Sequence, residues 1–245
     1  MKILLKSYGT CVLKLFNLLI AVLTWPKFSL TSFKMVSDLG RQGILPNTVI
    51  DVGANVGQFA VSSAKLFSHA KVYSFEPNPQ CVTLLRNNVK SLTNISVFPV
   101  ALGDIVGELN FHVNAHSHSS SLLPLAKHHR GAFPDAKEVD VISVEVSTLD
   151  SVFSNLTLKE PVLLKLDVQG YESQALRGGR ETLKRVDFVV LEVSFKPMYE
   201  GELLFFGMIE LMATFGFEFL RPVGWLSDPF TGEFIQIDAL FCRKA

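Results

Sequence analysis

One stretch constrains this chain more than any other: Val49-Ile50-Asp51-Val52-Gly53-Ala54-Asn55-Val56-Gly57-Gln58-Phe59, with Phe75-Glu76-Pro77 downstream. A β-branched apolar run ends in an acid, turns through Gly-Ala-Asn-Val-Gly and enters a helical pattern. That is the strand-to-helix crossover at which nucleotide-type cofactors are held. Glycine lets the backbone turn tightly and approach a ligand, and the start of the helix presents unpaired N–H groups. Asn55 tolerates the left-handed conformation better than most residues. The G-x-x-x-G spacing departs from the G-x-G-x-x-G dinucleotide fingerprint, which argues against NAD.

Such a crossover needs parallel strands beside it, and the pattern supplies them. Thr48 to Val52 reads as a first strand, Gln58 to Phe67 as a helix, Lys71 to Phe75 as a second strand. A helix follows from Asn78 to Lys90, with Asn78 as cap and Pro79 at its first position, then a third strand from Ile95 to Ala101. The alternation breaks where residues 107–113 and 139–146 have period two. These predict antiparallel strands around a loop rich in Ser, His and Gly at 114–137, a candidate substrate wall. Strands at 162–166 and 188–192, helices at 172–185 and 202–215, and strands at 217–221 and 234–242 complete the chain. Repeated strand–helix units imply a Rossmann-like α/β three-layer sandwich with ligands outside the carboxyl ends of the strands.

At 245 residues the chain holds one such domain, read as 46–245, behind an N-terminal helical extension at 1–45. Lys plus Arg equals Asp plus Glu, so general nucleic-acid binding has no electrostatic support, and a small-molecule or glycan partner fits better. Cys11, Cys81 and Cys242 have no metal-ligand or disulfide spacing, which suits a reducing, cytoplasmic setting. The apolar run before Pro26 is about a dozen residues, short of the roughly 18 that span a bilayer. Residues 1–25 read as an amphipathic helix docked on the domain in preference to one lying on the inner membrane surface.

The candidate site follows from acids at strand ends. Glu76 lies where a carboxylate in such folds accepts both ribose hydroxyls. Asp104, in Ala101-Leu102-Gly103-Asp104, lies where an adenine amine is expected. In Leu164-Lys165-Leu166-Asp167-Val168-Gln169-Gly170-Tyr171-Glu172, Lys165 and Asp167 point to the same side of a strand, either as a structural pair or as part of an active site. His116, His118, His128 and His129 read as solvated loop histidines, and Tyr199, Trp225, Phe205 and Phe206 as packing aromatics.

Taken together these motifs resemble the FkbM-like family of class I S-adenosylmethionine-dependent methyltransferases. Ser119-Ser120-Ser121-Leu122, Thr148-Leu149-Asp150, Leu191-Glu192-Val193 and Ile237-Asp238-Ala239-Leu240-Phe241 extend the resemblance over about residues 46–245. It implies a seven-stranded sheet with an antiparallel last strand, S-adenosylmethionine in the crevice, and methylation of an oxygen, commonly in natural-product or surface-polysaccharide pathways. The expected cofactor-binding set is Asp51, Gly53, Asn55, Gly57, Glu76, Pro77 and Asp104; the expected catalytic set is Asp167, Lys165 and Glu192. Asp167, with Glu192, would act as base or as Mg²⁺ ligand, pocket-shaping being the preferred reading over metal binding. Lys165 would hold the acceptor or tune Asp167. A nicotinamide-dependent oxidoreductase and a non-catalytic, membrane-associated cofactor-binding module are the alternatives.

Overall fold

The computed structural model describes residues 18–127, 129, 133, 135–228 and 231–244. Its first labelled helix is α1 (Leu30–Arg41), capped by the Ser29 hydroxyl. It is followed by β1 (Thr48–Val52), α2 (Gln58–Leu66), β2 (Lys71–Phe75), α3 (Pro79–Val89), β3 (Ile95–Phe98) and β4 (Ala101–Leu102). Then come β5 (Gly107–Asn114), β6 (Glu138–Ser147), α4 (Leu149–Phe153), β7 (Val162–Leu166), α5 (Glu172–Arg177) and α6 (Arg180–Leu183). The chain closes with β8 (Phe188–Ser194), α7 (Phe205–Thr214), β9 (Phe217–Ser227) and β10 (Phe234–Arg243).

Seven strands form one sheet in the order β3-β2-β1-β7-β8-β10-β9. β1 and β7 are buried at every residue because helices cover both faces, hence their unbroken apolar runs. They lie side by side in parallel, with Asp51 opposite Lys165. Chain order reverses between these two strands, and this opens the crevice at their carboxyl ends. β10 runs antiparallel to both β8 and β9, as the resemblance implies. On one face α1 and α2 bring Met35, Leu39, Phe59 and Ala60 against Val49, Leu163 and Val190. On the other, Phe153, Leu176, Met208 and Met212 cover Ile50, Leu164 and Leu191. Thus α1, although it lies in the stretch read as an extension, belongs to the core. Among the described residues no helix is long and apolar enough to cross a membrane.

Four boundaries differ from expectation, each for a physical reason. The third strand stops at Phe98; after Pro99, which has no N–H to give a ladder, Ala101–Leu102 joins β6 in a separate sheet of order β4-β6-β5. The helix read across 172–185 divides at Gly178-Gly179, because a Cβ on Gly178 would lie 1.9 Å from the Gly103 carbonyl oxygen. Asp150 caps the second piece, accepting from the Glu181 and Thr182 N–H groups. Helix α7 starts at Phe205 and not Glu202, whose carboxylate instead accepts from the Met198 and Tyr199 N–H groups. β9 runs through Pro222 to Ser227, which an edge strand tolerates.

Candidate active site

The turn after β1 is built by backbone conformation. Gly53 and Gly57 have φ of 78° and 98°, and Asn55 sits between them at 48°. A Cβ on Gly53 would lie 1.9 Å from the carbonyl oxygen of Asp167, so only glycine lets the β1 turn lie flat against the end of β7. Gly57 serves packing, since its Cβ would meet Leu85 Cδ1 at 2.7 Å.

Glu76, at the end of β2, closes the other side of the turn. Its Oε2 accepts from the Asn55 N–H at 2.8 Å and its Oε1 from the Asn78 N–H at 2.9 Å. Burial pushes it up to about 7 in spite of those two donors.

A second acidic group stands across the cavity. Lys165, 7% exposed, places its Nζ 3.1 Å from Asp167 Oδ2 and 3.5 Å from Asp51 Oδ1. Burial opposes the charge on Lys165, but Asp167 and Asp51 prevail and hold it protonated. Burial likewise raises Asp167, yet Lys165 and the Gln169 amide outweigh it and keep the carboxyl below the usual range. Gln169 Nε2 donates to Asp167 Oδ1 at 2.7 Å and to Glu192 Oε2 at 2.9 Å. Glu192 is driven well above the usual carboxylate range by burial and by repulsion from Asp167 and Asp238. Two neighbouring carboxyls are thereby pushed apart, Asp167 toward the ionised form and Glu192 toward the protonated one.

Behind this pair the polar groups form a closed ring. Gln236 Nε2 donates to Glu192 Oε2 at 3.1 Å and to Ser194 Oγ at 3.2 Å. The Ser194 hydroxyl donates to Glu202 at 2.9 Å. Glu202 also takes the Tyr199 N–H at 3.0 Å, and the Tyr199 hydroxyl donates to Gln169 Oε1 at 2.5 Å. Gln169 itself sits at φ 58° and Gly170 at 93°, where a Cβ would lie 2.8 Å from that of Tyr199. A non-glycine residue held in this region is strained, and the ring supplies the bonds that hold it.

Both ends open on one cavity of about 280 Å³. Gly53, Asn55, Glu76 and Pro77 line one side, and Asp167, Gln169, Glu192 and Gln236 the other. The strand backbone at Val100 to Leu102 and loop residues including Ser119, His129 and Phe133 complete the wall.

Residues 51–219 match the family model described as the methyltransferase FkbM domain. The chain belongs to this family. It is 31% identical over 173 residues to the 2-O-methyltransferase NoeI of Sinorhizobium fredii, covering 68% of this chain and 71% of that protein. It is 28% identical over 148 residues to the hexuronic acid methyltransferase AglP of Haloferax volcanii, covering 58% and 54%. The fold superposes on magnesium protoporphyrin IX methyltransferase from Synechocystis, solved with bound S-adenosylmethionine. The TM-score is 0.50 at 13% identity, covering 87% of this chain and 78% of that one.

Within this FkbM methyltransferase domain the expected residues divide into two groups. Gly53, Asn55, Glu76, Pro77, Asp167 and Glu192 face the cavity. Asp51, Gly57 and Lys165 lie beneath it, so Lys165 is placed to tune Asp167 and not to touch an acceptor. Asp104 is exposed in the turn after β4, next to but not among the residues that line the cavity. His129 is a correction, because it is 5% exposed, with Phe133 and Tyr199 rings set edge-on to it. His118 also lines the cavity; His128 lies outside the described residues. Tyr199 is fully buried and bonded into the site, whereas Trp225 and Phe206 are 69% and 79% exposed.

Gln169 and Gln236 carried no role in the sequence reading, and Tyr199 was read as a packing aromatic in preference to one stacking on an acceptor. A signal existed for Gln236 alone, which lies two residues from Asp238 on β10 and so on the same side of the strand; Gln169 lies beyond β7 at a positive φ, where alternation does not hold. Among the described residues no group of three or more His, Cys, Asp or Glu side chains is arranged to hold a metal. An amide N–H₂ occupies the space between Asp167 and Glu192, where a cation would meet two donors, so these residues do not fit Mg²⁺.

Proposed function

We propose that the chain is an S-adenosylmethionine-dependent methyltransferase that methylates a hydroxyl oxygen of a sugar or natural-product acceptor, within residues 46–245 and the α1 helix that completes their core. One observation carries the reading: a hydroxyl-accepting carboxylate and an ionised carboxylate face a single cavity, joined by the contact of Gly53 with the Asp167 carbonyl. The cofactor fits the residues present, since Gly53 and Asn55 line the cavity beside Glu76, whose carboxylate retains lone pairs beyond its two N–H donors. Gly53 and Asn55 would hold its amino-acid and ribose parts, Glu76 the ribose hydroxyls, and the Val100 to Leu102 backbone would flank the base.

Bound S-adenosylmethionine supplies a methyl group on a positively charged sulfur. Asp167 accepts a hydrogen bond from the acceptor hydroxyl and aims its lone pair. As the new C–O bond forms that hydroxyl becomes strongly acidic, so a carboxylate held below its usual range suffices to take the proton. Glu192, neutral, spares the site a second negative charge, and Gln169 fixes both carboxyls. Holding both reactants in one cavity makes the encounter effectively intramolecular. The names of two relatives support this reading, one a 2-O-methyltransferase and the other a hexuronic acid methyltransferase.

Calorimetry with S-adenosylmethionine, S-adenosylhomocysteine and NAD tests the donor, and a labelled-methyl panel of glycans and metabolites tests the acceptor class. Binding of NAD in place of S-adenosylmethionine refutes the reading. Full turnover in Asp167→Ala removes the role given to that residue.

A further inference from the structure

Residues 18–24 are helical and rest on the domain by one side. Ala21 is fully buried, and Trp25 packs with Ala54, Val61, Leu85 and Val89. The other side is bare: Leu19, Ile20, Val22 and Leu23 are 56%, 40%, 51% and 74% exposed. A single exposed leucine needs no explanation, but adjacent ones on a short helix make a continuous apolar face.

The charge distribution indicates what covers it. Residues 1–37 carry Lys2, Lys6, Lys14, Lys27 and Lys34 with no Asp or Glu; every acidic residue of this neutral chain lies from Asp38 onward. We infer that this face, followed in the sequence by the exposed Lys27 and Lys34 and set in a stretch with no acidic residue, docks on the surface of an anionic lipid bilayer. The aliphatic side chains enter the interface and the lysines meet the headgroups. Each lysine near such a surface attracts it independently, and the apolar burial adds to that attraction.

The other occupants fit less well. The apolar run is too short to span a bilayer. A second copy seated on this face would bring two lysine-rich, acid-free segments together. A protein partner would have to match a face that is wholly aliphatic, its one nearby hydroxyl, on Thr24, already donating to the Ile20 carbonyl at 2.7 Å.

Co-sedimentation of the full chain with phosphatidylglycerol/phosphatidylcholine vesicles, and with pure phosphatidylcholine, tests the inference. The full chain is expected in the pellet with the anionic vesicles at low salt and in the supernatant at high salt. The double substitution Leu19→Glu/Leu23→Glu, at exposed positions, should lower the partition coefficient by about tenfold or more. Melting temperature and S-adenosylhomocysteine binding should stay at the parent's values. The inference is overturned by a parent that ignores anionic vesicles, or by a folded double variant that binds as well as the parent. Retention through alkaline carbonate would point to a spanning segment and overturn it as well. So would a vesicle-free dimer that the double substitution dissolves, because the face would then belong to a second copy.

Discussion

Replacing Gly53 by alanine probes the contact on which both halves of the site depend. Two costs add at this position. Any non-glycine residue at φ 78° gives up about 1–2 kcal/mol. The new Cβ would also sit 1.9 Å from the Asp167 carbonyl oxygen, which must retreat by about 1.5 Å to reach an ordinary 3.4 Å contact. That retreat strains the bond in which the Asp167 N–H donates to the Val52 carbonyl at 3.0 Å, worth about 1 kcal/mol. The sum is about 2–3 kcal/mol, toward the upper end for a single substitution. For a domain of this size it lowers the melting temperature by roughly 4–12 °C. Gly43→Ala is the control: its φ is 82°, yet nothing lies within 4 Å of its Cβ. It should lose only the conformational part, roughly 2–8 °C, and so melt roughly 2–4 °C above Gly53→Ala, the share of the contact. Differential scanning calorimetry of the two variants isolates the contact. If Gly53→Ala melts within about 1 °C of Gly43→Ala, the turn does not press on β7 and the argument fails.

Three further outcomes follow from the ring and the buried carboxyls. Tyr199→Phe deletes only the hydroxyl that holds Gln169; turnover should fall about 10–100-fold. The acidic limb of its pH–rate profile should move upward as Asp167 loses a well-placed donor, whereas an unmoved profile would deny Tyr199 that role. Glu76, raised to about 7, accepts ribose hydroxyls best when ionised. Calorimetric affinity for S-adenosylhomocysteine should therefore weaken as pH falls through neutrality in the parent and stay flat in Glu76→Gln. Glu172 is raised from 4.5 to about 8 by burial. The folded state therefore binds a proton that the unfolded state releases between those values. Its contribution is complete below about 4.5 and lost as pH rises through about 8. Melting curves should show stability falling across that window, less steeply in Glu172→Gln; equal slopes would place the effect elsewhere.

Much of the fold was legible because its cause is local. Strands buried on both faces must be apolar throughout, so β1 and β7 stand out, and half-exposed β5 and β6 betray themselves by alternation. What could not be read depends on distant contacts. Nothing near Gly178 announces that the Gly103 carbonyl will lie against it, and nothing near Glu202 shows that its carboxylate will be drawn back to Met198 and Tyr199. The site divides in the same way. Glu76, Asp167 and Glu192 were found because strand ends mark the crevice. The groups that set their protonation come from elsewhere, Lys165 and Gln169 beside Asp167, and Asp238 of β10 beside Glu192, and His129 is buried with the Tyr199 and Phe133 rings against it.

The departure of the chain from the large sheet at Pro99 has a practical consequence. Phe111, Ser119, His129 and Phe133, which wall the cavity, are all carried between β4 and β6, while Gly53, Glu76, Asp167 and Glu192 stay on the seven-stranded sheet. Residues 103–147 can therefore be treated as a cassette. Exchanging it between relatives would change the shape offered to the acceptor, provided that its contacts with the rest are kept, among them Gly103–Gly178, Ser119–Tyr199, the Ser121 hydroxyl on the Gln169 carbonyl and the Ser117–Asn55 bond.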